Sequence, residues 1–230
     1  MAAGTERSQA ALSGCVLHFI HIGKTGGSAI QAALRQGDGP EVAIHPHAFR
    51  LEDVPASDFC FLSVRHPVER FISGFNSRLR KGQPRTYVEW TEGERRAYER
   101  FPTANALAEA LSDPHARAAA EDAMAEIEHA RRLTYWIPSI EALEARAEHI
   151  VMICHQPTLE HDFRLLGLRL GWPSSVRLPD DPIAAHITPA GYLRNVSPRA
   201  RSNLLAWFEE DLLVYGAALM LRVQLINARE

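Results

Sequence analysis

The amino-acid sequence predicts an α/β fold, a central parallel sheet flanked by helices and carrying a helical insertion, and three observations predict it. Two apolar runs, one from Val16 to Ile22 and one from Phe59 to Val64, are rich in β-branched and aromatic residues. Strands covered on both faces need that composition. Each run also passes through a short loop into a helix-compatible stretch and ends in a cation, Lys24 after the first and Arg65 after the second. Strand-to-helix units imply parallel pairing, and an open parallel sheet gathers its ligands outside the carboxyl ends of its strands. Between Arg85 and Arg132, by contrast, the pattern is helical and alanine-rich.

Composition narrows the class. A chain of 230 residues with 46% hydrophobic and 23% charged side chains fits one globular domain over residues 1–230. The net charge of −3 argues against a general nucleic-acid binder, whose affinity depends on neutralising many phosphates. Cys15, Cys60 and Cys154 each lie in or beside an apolar run without metal-knuckle spacing, so buried reduced thiols and a cytoplasmic location are expected. Residues 1–13 are small and polar and read as a short flexible N-terminus. The longest apolar run, Leu212 to Leu221, is too short to span a bilayer.

In order along the chain, Gly23 permits a sharp turn after the first strand, and Gly26 and Gly27 leave backbone amides unobstructed at the head of a helix continuing through Ala29 to Arg35. Lys24 adds a cation, and Thr25 and Ser28 add hydroxyls. Such a loop is a P-loop-like phosphate cradle. Gly37-Asp38-Gly39-Pro40 ends the helix, and a short strand at Glu41 to His45 leads to His45-Pro46-His47. After the strand at Phe59 to Val64, Pro67 starts a helix with Val68, Phe71, Ile72, Phe75 and Leu79 on one face and Ser73, Asn76, Ser77 and Arg80 on another. Within the insertion of about residues 85–132, Thr91 to Glu94 reads as a capping box and Pro102 and Pro114 as breaks. Tyr87, Trp90, Tyr98 and Phe101 there are chiefly packing residues, with lining of an acceptor site as the alternative. His149 to Cys154 is a further strand, Thr158 to Leu170 a helix with Leu159, Phe163 and Leu166 inward, and Leu178 to Pro189 a surface loop. Ser197-Pro198 opens a last long helix with Ala200, Leu204, Leu205, Phe208 and Leu212 as its apolar stripe.

Two motifs, FIHIGKTGGSAI and VRHPVERFISGF, together resemble the sulfotransferases that use 3′-phosphoadenosine 5′-phosphosulfate (PAPS), in particular the group containing the uronyl and heparan sulfate 2-O-sulfotransferases and their small bacterial relatives. The resemblance implies a sheet of the P-loop-like nucleotide-binding type and sulfuryl transfer from PAPS to a hydroxyl acceptor, a carbohydrate among the candidates, without a metal. It puts Lys24 at the bridging oxygen of the phosphosulfate, Thr25, Gly26, Gly27 and Ser28 around the 5′-phosphate, and Arg65 with Ser73 on the 3′-phosphate. The family usually has proline where this chain has Gly23, and aspartate or asparagine where it has His66. It also has a histidine near the second strand end.

A hydroxyl acceptor needs a base, and histidine titrates close to neutrality. His47 is favoured over His45 because Pro46 interrupts the ladder and frees the later residue to face the cleft. His186, in the late loop, is an outside candidate, and the resemblance makes the same loop a candidate for closing over the nucleotide. Two other readings stay open. A Walker-type NTPase shares Gly23-Lys24-Thr25, but the glycine it needs five residues earlier is His18. A nucleotide-binding protein without turnover would use the same cradle.

Overall fold

The computed structural model describes residues 14–35, 41–181 and 195–227. The Gly37–Pro40 loop, the N-terminal residues 1–13, and positions 182–194, with His186 and most of the Leu178 to Pro189 loop, lie outside the described residues. The chain divides into two compact units, one comprising Met1–Arg65, Leu133–His186 and Leu213–Glu230, the other His66–Arg132 and Ile187–Leu212.

The first unit holds the sheet. Its strands are β1 (Leu17–Ile20), β2 (Ala43–Ile44), β3 (Phe59–Val64) and β4 (Ile150–His155). They lie in the order β2-β1-β3-β4, every pair parallel. The α/β expectation is met. Side chains alternate along each strand, so one face contributes Phe19, Phe61, Met152 and Cys154 to a core with Ile30, Leu34, Phe163 and Leu166. Those last four belong to helices α1 (Gly27–Leu34) and α7 (Leu159–Leu170). The other face contributes Ile20, Leu62, Val64 and Ile153 to a core with Leu133, Trp136, Val214 and Ala218. Burial on both faces explains why β1 and β3 read as continuous apolar runs rather than alternating ones.

All three of β1, β2 and β4 differ in their bounds from the sequence reading, and β2 keeps only Ala43–Ile44 of the expected Glu41 to His45. β1 stops at Ile20, so His21 and Ile22 already belong to the turn. β4 begins and ends one residue later than His149 to Cys154, which makes His155 the residue at its carboxyl end, paired in register with Val64.

The second unit is helical: α2 (Pro67–Leu79), α3 (Glu92–Arg100), α4 (Ala104–Ala110), α5 (Arg117–Glu126) and α8 (Pro198–Trp207), with the first turn of α9 (Glu209–Asn227). Short α6 (Ile140–Ala145) belongs to the first unit. Proline at the start of α2 and the Thr91/Glu94 capping box of α3 are as expected. Val68, Phe71, Ile72 and Phe75 of α2 are buried with Tyr98, Phe101, Leu107 and Phe208. However, α2 has little of a polar outer face, because Asn76, Ser77 and Arg78 are buried too. Arg78 compensates its burial by pairing with buried Glu94, Nε to Oε1 at 2.6 Å. Burial by itself would push the Glu94 carboxyl up, and the Arg78 guanidinium together with the backbone amides of Thr91 and Glu128 holds that carboxyl below the usual range. Gly74 lets the turn at 128–130 approach, since a Cβ there would meet the carbonyl of His129.

The last long helix is in fact two. It breaks at Phe208, which caps α8, and α9 restarts at Glu209. Ala200, Leu204 and Phe208 are buried as the stripe predicts, while Leu205 is exposed and Leu212 half-buried.

Candidate functional site

Parallel pairing puts the carboxyl ends of all four strands on one edge of the sheet, and β1 delivers the central loop there. Lys24 has φ 69°, a left-handed conformation that costs a residue with a Cβ. Gly26 follows at φ 95° and caps α1. Its left-handed backbone turns the chain into the helix, whose carbonyl at Gly26 takes the amides of Ala29 and Ile30, and the positive end of the helix there attracts an anion. Lys24, Gly26 and Ser28 are partly accessible, while Thr25 and Gly27 are buried. A Cβ on Gly27 would run into the ring of His21, so only glycine lets that imidazole pack under the loop.

Thr25 does not offer its hydroxyl outward. Its Oγ1 donates to the carbonyl of Ile22 at 2.8 Å and lies 2.7 Å from Ser63 Oγ on β3. The single Thr25 hydroxyl proton goes to the Ile22 carbonyl, so Ser63 is the donor in the second bond. Fully buried, the pair ties the loop to the neighbouring strand. Thr25 is left with its backbone amide as the group to offer an anion.

From the end of β3, Arg65 is half-buried and its Nη1 lies 3.5 Å from the carbonyl oxygen of Lys24. Cations from two adjacent strands thus share one rim. Ser73 lies on α2 in the second unit and is half-buried there. His66, which caps α2, has its pKa lowered by burial and by Arg201.

β2 brings its two histidines to the same edge and treats them differently. The Nδ1 of His47 lies 2.8 Å from the carbonyl oxygen of His21, and the two imidazoles approach to 4.1 Å between centroids. A carbonyl only accepts, so Nδ1 carries the proton, and in the neutral ring Nε2 carries the basic lone pair. His45 instead bonds to His18 and lies on Phe49. Its pKa is lowered first by burial and then by His18.

Sequence reasoning missed the segment that grips this loop. Trp136 Nε1 donates to the carbonyl of His47 at 2.7 Å, Tyr135 donates to that of Ala48, and Leu51 donates to that of Trp136. The signal was there, in the aromatic run Leu133 to Ile137 directly after the insertion. His155 was also missed. It ends β4 beside the strand that delivers Arg65, with its Nε2 2.8 Å from the hydroxyl of Tyr215 and its amide donating to buried Asp162. Arg222 holds that carboxylate, and burial followed by Arg222 lowers the His155 pKa.

The thiols take no part in this edge. Cys15, Cys60 and Cys154 are free, and burial pushes Cys60 up to about 12 and Cys154 higher still. Among the described residues, no group of three or more His, Cys, Asp or Glu is placed to hold a metal ion. No helix among them is long and apolar enough to cross a membrane.

The residues present suit an anionic nucleotide: an open helix head, a lysine, an arginine and a serine, with two histidines at hand. In comparison with known proteins, the sequence model of the sulfotransferase family matches residues 15–216. That span contains both strand ends, the cradle and every candidate residue named from β1 to Tyr215. Neither a curated protein nor a solved structure gave a match.

Proposed function

Because this chain belongs to the sulfotransferase family, we propose that it transfers the sulfuryl group of PAPS to a hydroxyl acceptor, a carbohydrate among the candidates, as the uronyl and heparan sulfate 2-O-sulfotransferase group does. The observation that carries the reading is the shared rim of Lys24 and Arg65, two cations brought to one loop by adjacent parallel strands. A donor with a phosphosulfate at one end and a separate 3′-phosphate calls for two such groups.

In this reading Lys24, the amides of Thr25, Gly26 and Gly27, and Ser28 hold the 5′-phosphate, and Arg65 with Ser73 holds the 3′-phosphate. Transfer forms a bond between the acceptor oxygen and sulfur, and breaks the bond from sulfur to the phosphate oxygen. The electron pair of the broken bond stays on that oxygen, where Lys24 and the helix head meet the developing charge. His47 takes the acceptor's proton at Nε2, its tautomer set by the Nδ1–H bond to the His21 carbonyl. No metal is required by these steps. Reduced thiols at Cys60 and Cys154 accord with a cytoplasmic setting.

Calorimetry with 3′-phosphoadenosine 5′-phosphate (PAP) and ADP, with and without chelator, tests the donor site. Tight PAP binding that needs no divalent ion, with far weaker ADP binding, is expected. Equal affinity, or a strict magnesium requirement, favours an NTPase. Transfer from labelled PAPS to a panel of hydroxyl acceptors then tests turnover, and its failure with every acceptor favours nucleotide binding alone. His47→Ala should leave PAP affinity nearly intact and lower turnover by about 10²–10⁴-fold.

A further inference from the structure

Three side chains that the transfer steps do not use form a continuous chain across the sheet. Asp58 Oδ2 lies 3.1 Å from His18 Nε2, and His18 Nδ1 lies 2.8 Å from His45 Nε2. A carboxylate only accepts, so His18 Nε2 carries a proton; in the neutral His18 ring Nδ1 then accepts, and His45 Nε2 is the donor. Asp58 stands before β3, His18 lies within β1 and His45 follows β2, so three adjacent segments are joined. The other oxygen of Asp58 accepts from the amide of Val16 and the hydroxyl of Ser57, and the hydrogen bond from His18 leads the causes that hold its carboxyl below the usual range. Asp53 also faces His45, and Arg146 donates to the carbonyl of Asp58.

Stacking fixes the ring planes. His45 lies on Phe49 with centroids 3.6 Å apart and planes 7° from parallel, and the His18 ring runs nearly parallel to both, 12° from His45 and 10° from Phe49. The amide of Phe49 donates to the carbonyl of Pro46, which closes a turn around His47. One side of that turn is therefore anchored by His45, and the other by the bonds of His47 to His21 and of Trp136 to His47.

We propose that Asp58, His18 and His45 are a positioning chain for His47, with His45 holding the loop as a donor rather than serving as the base. The proposal rests on the sulfuryl-transfer reading for its effect on turnover, and its physical content is separable from that reading. His45 is held through Nε2 by His18 and His47 through Nδ1 by the His21 carbonyl, so the nitrogen away from that bond is Nδ1 in His45 and Nε2 in His47.

Three variants test it. His45→Gln retains an amide donor near the position of Nε2 but removes the base, His45→Phe retains the stacking without the donor, and His18→Phe breaks the chain in the middle. Turnover of His45→Gln is expected within about threefold of the parent, since a donor survives. In the two phenylalanine variants kcat should fall by about 10–100-fold, as misplacement of a reacting group does, with acceptor KM and PAP affinity unchanged. If His45→Gln loses as much as His45→Phe, His45 is itself the base and the proposal is overturned. The glutamine variant decides this even where a phenylalanine variant fails to fold. A second readout needs no turnover: proton–nitrogen spectra of the His47 ring should show the Nδ1–H tautomer in the parent and in His45→Gln, and a mixture in the phenylalanine variants. Unchanged His47 signals in both phenylalanine variants overturn the positioning role. Changed signals in a protein that transfers no sulfate uphold it and count against the sulfuryl-transfer reading instead.

Discussion

Replacing Lys24 with glycine or with alanine separates what its backbone costs from what its ammonium does. At φ 69° the residue sits in the left-handed region, at a cost of about 1–2 kcal/mol for an L-amino acid. Alanine keeps that cost, because it keeps the Cβ. Glycine removes it but gives the unfolded chain extra freedom, worth about 0.4–1 kcal/mol in the other direction. The difference leaves Lys24→Gly more stable than Lys24→Ala by about 1 kcal/mol, since alanine at positive φ costs more than the entropy it saves. For a chain of this size that is roughly 2–4 °C in Tm. Both variants lose the same cation, so other electrostatic consequences cancel between them. Turnover should fall alike in both, by about 10²-fold or more, as loss of a group that meets developing charge does. Thermal unfolding and labelled-PAPS transfer read the two effects on the same preparations. The reasoning is refuted if glycine melts at or below alanine, or if Lys24→Gly regains turnover. In the first case nothing holds the left-handed turn; in the second the ammonium is not the group that acts.

Arg65→Ala should weaken PAP binding by about 1.5–3 kcal/mol, the worth of a charge-assisted phosphate contact, with little change in Tm; a lower Tm with unchanged affinity would make Arg65 a brace for the Lys24 loop. Thr25→Val should lower stability by about 1–3 kcal/mol, because Ser63 and the Ile22 carbonyl lose a buried partner, while PAP affinity on the folded protein stays close to that of the parent. A loss of affinity without a loss of stability would mean that the hydroxyl faces the phosphate. Acid should destabilise the protein before its carboxylates titrate. His45, His66 and His155 all have pKa values lowered from 6.5, burial being the first cause in each, so the unfolded chain binds protons more readily than the folded one. The stability they contribute is full above about pH 6.5 and is lost as pH falls through 6.5 toward their folded values. Melting temperatures measured from pH 7.5 to 5 should decline across that window, and a flat profile would contradict the half-buried, neutral state of these rings.

Sequence alone determined the sheet strands, the glycine loop with Lys24 in it, and the second strand end at Arg65. Each is a local property: β3 and α2 follow from an apolar run, a proline and a helical stripe, and the loop from two glycines after a lysine. The same locality explains its errors. Leu205 fits a helical stripe by spacing, yet it is exposed on α8 while its neighbour Leu204 is buried, and spacing does not say which of two adjacent leucines the core takes. Thr25 reads as an outward hydroxyl because its inward partner, Ser63, is 38 residues away on another strand. Sequence separates His45 from His47 only by their places around one proline, and the partners of each come from tertiary structure. His18, Asp58 and Phe49 hold the first, while His21 and Trp136 hold the second. Those partners lie on segments that meet only because the strands pair in the order β2-β1-β3. A hydrogen bond is set by where two groups end up in space, and sequence periodicity reports only which side of its own element a residue occupies.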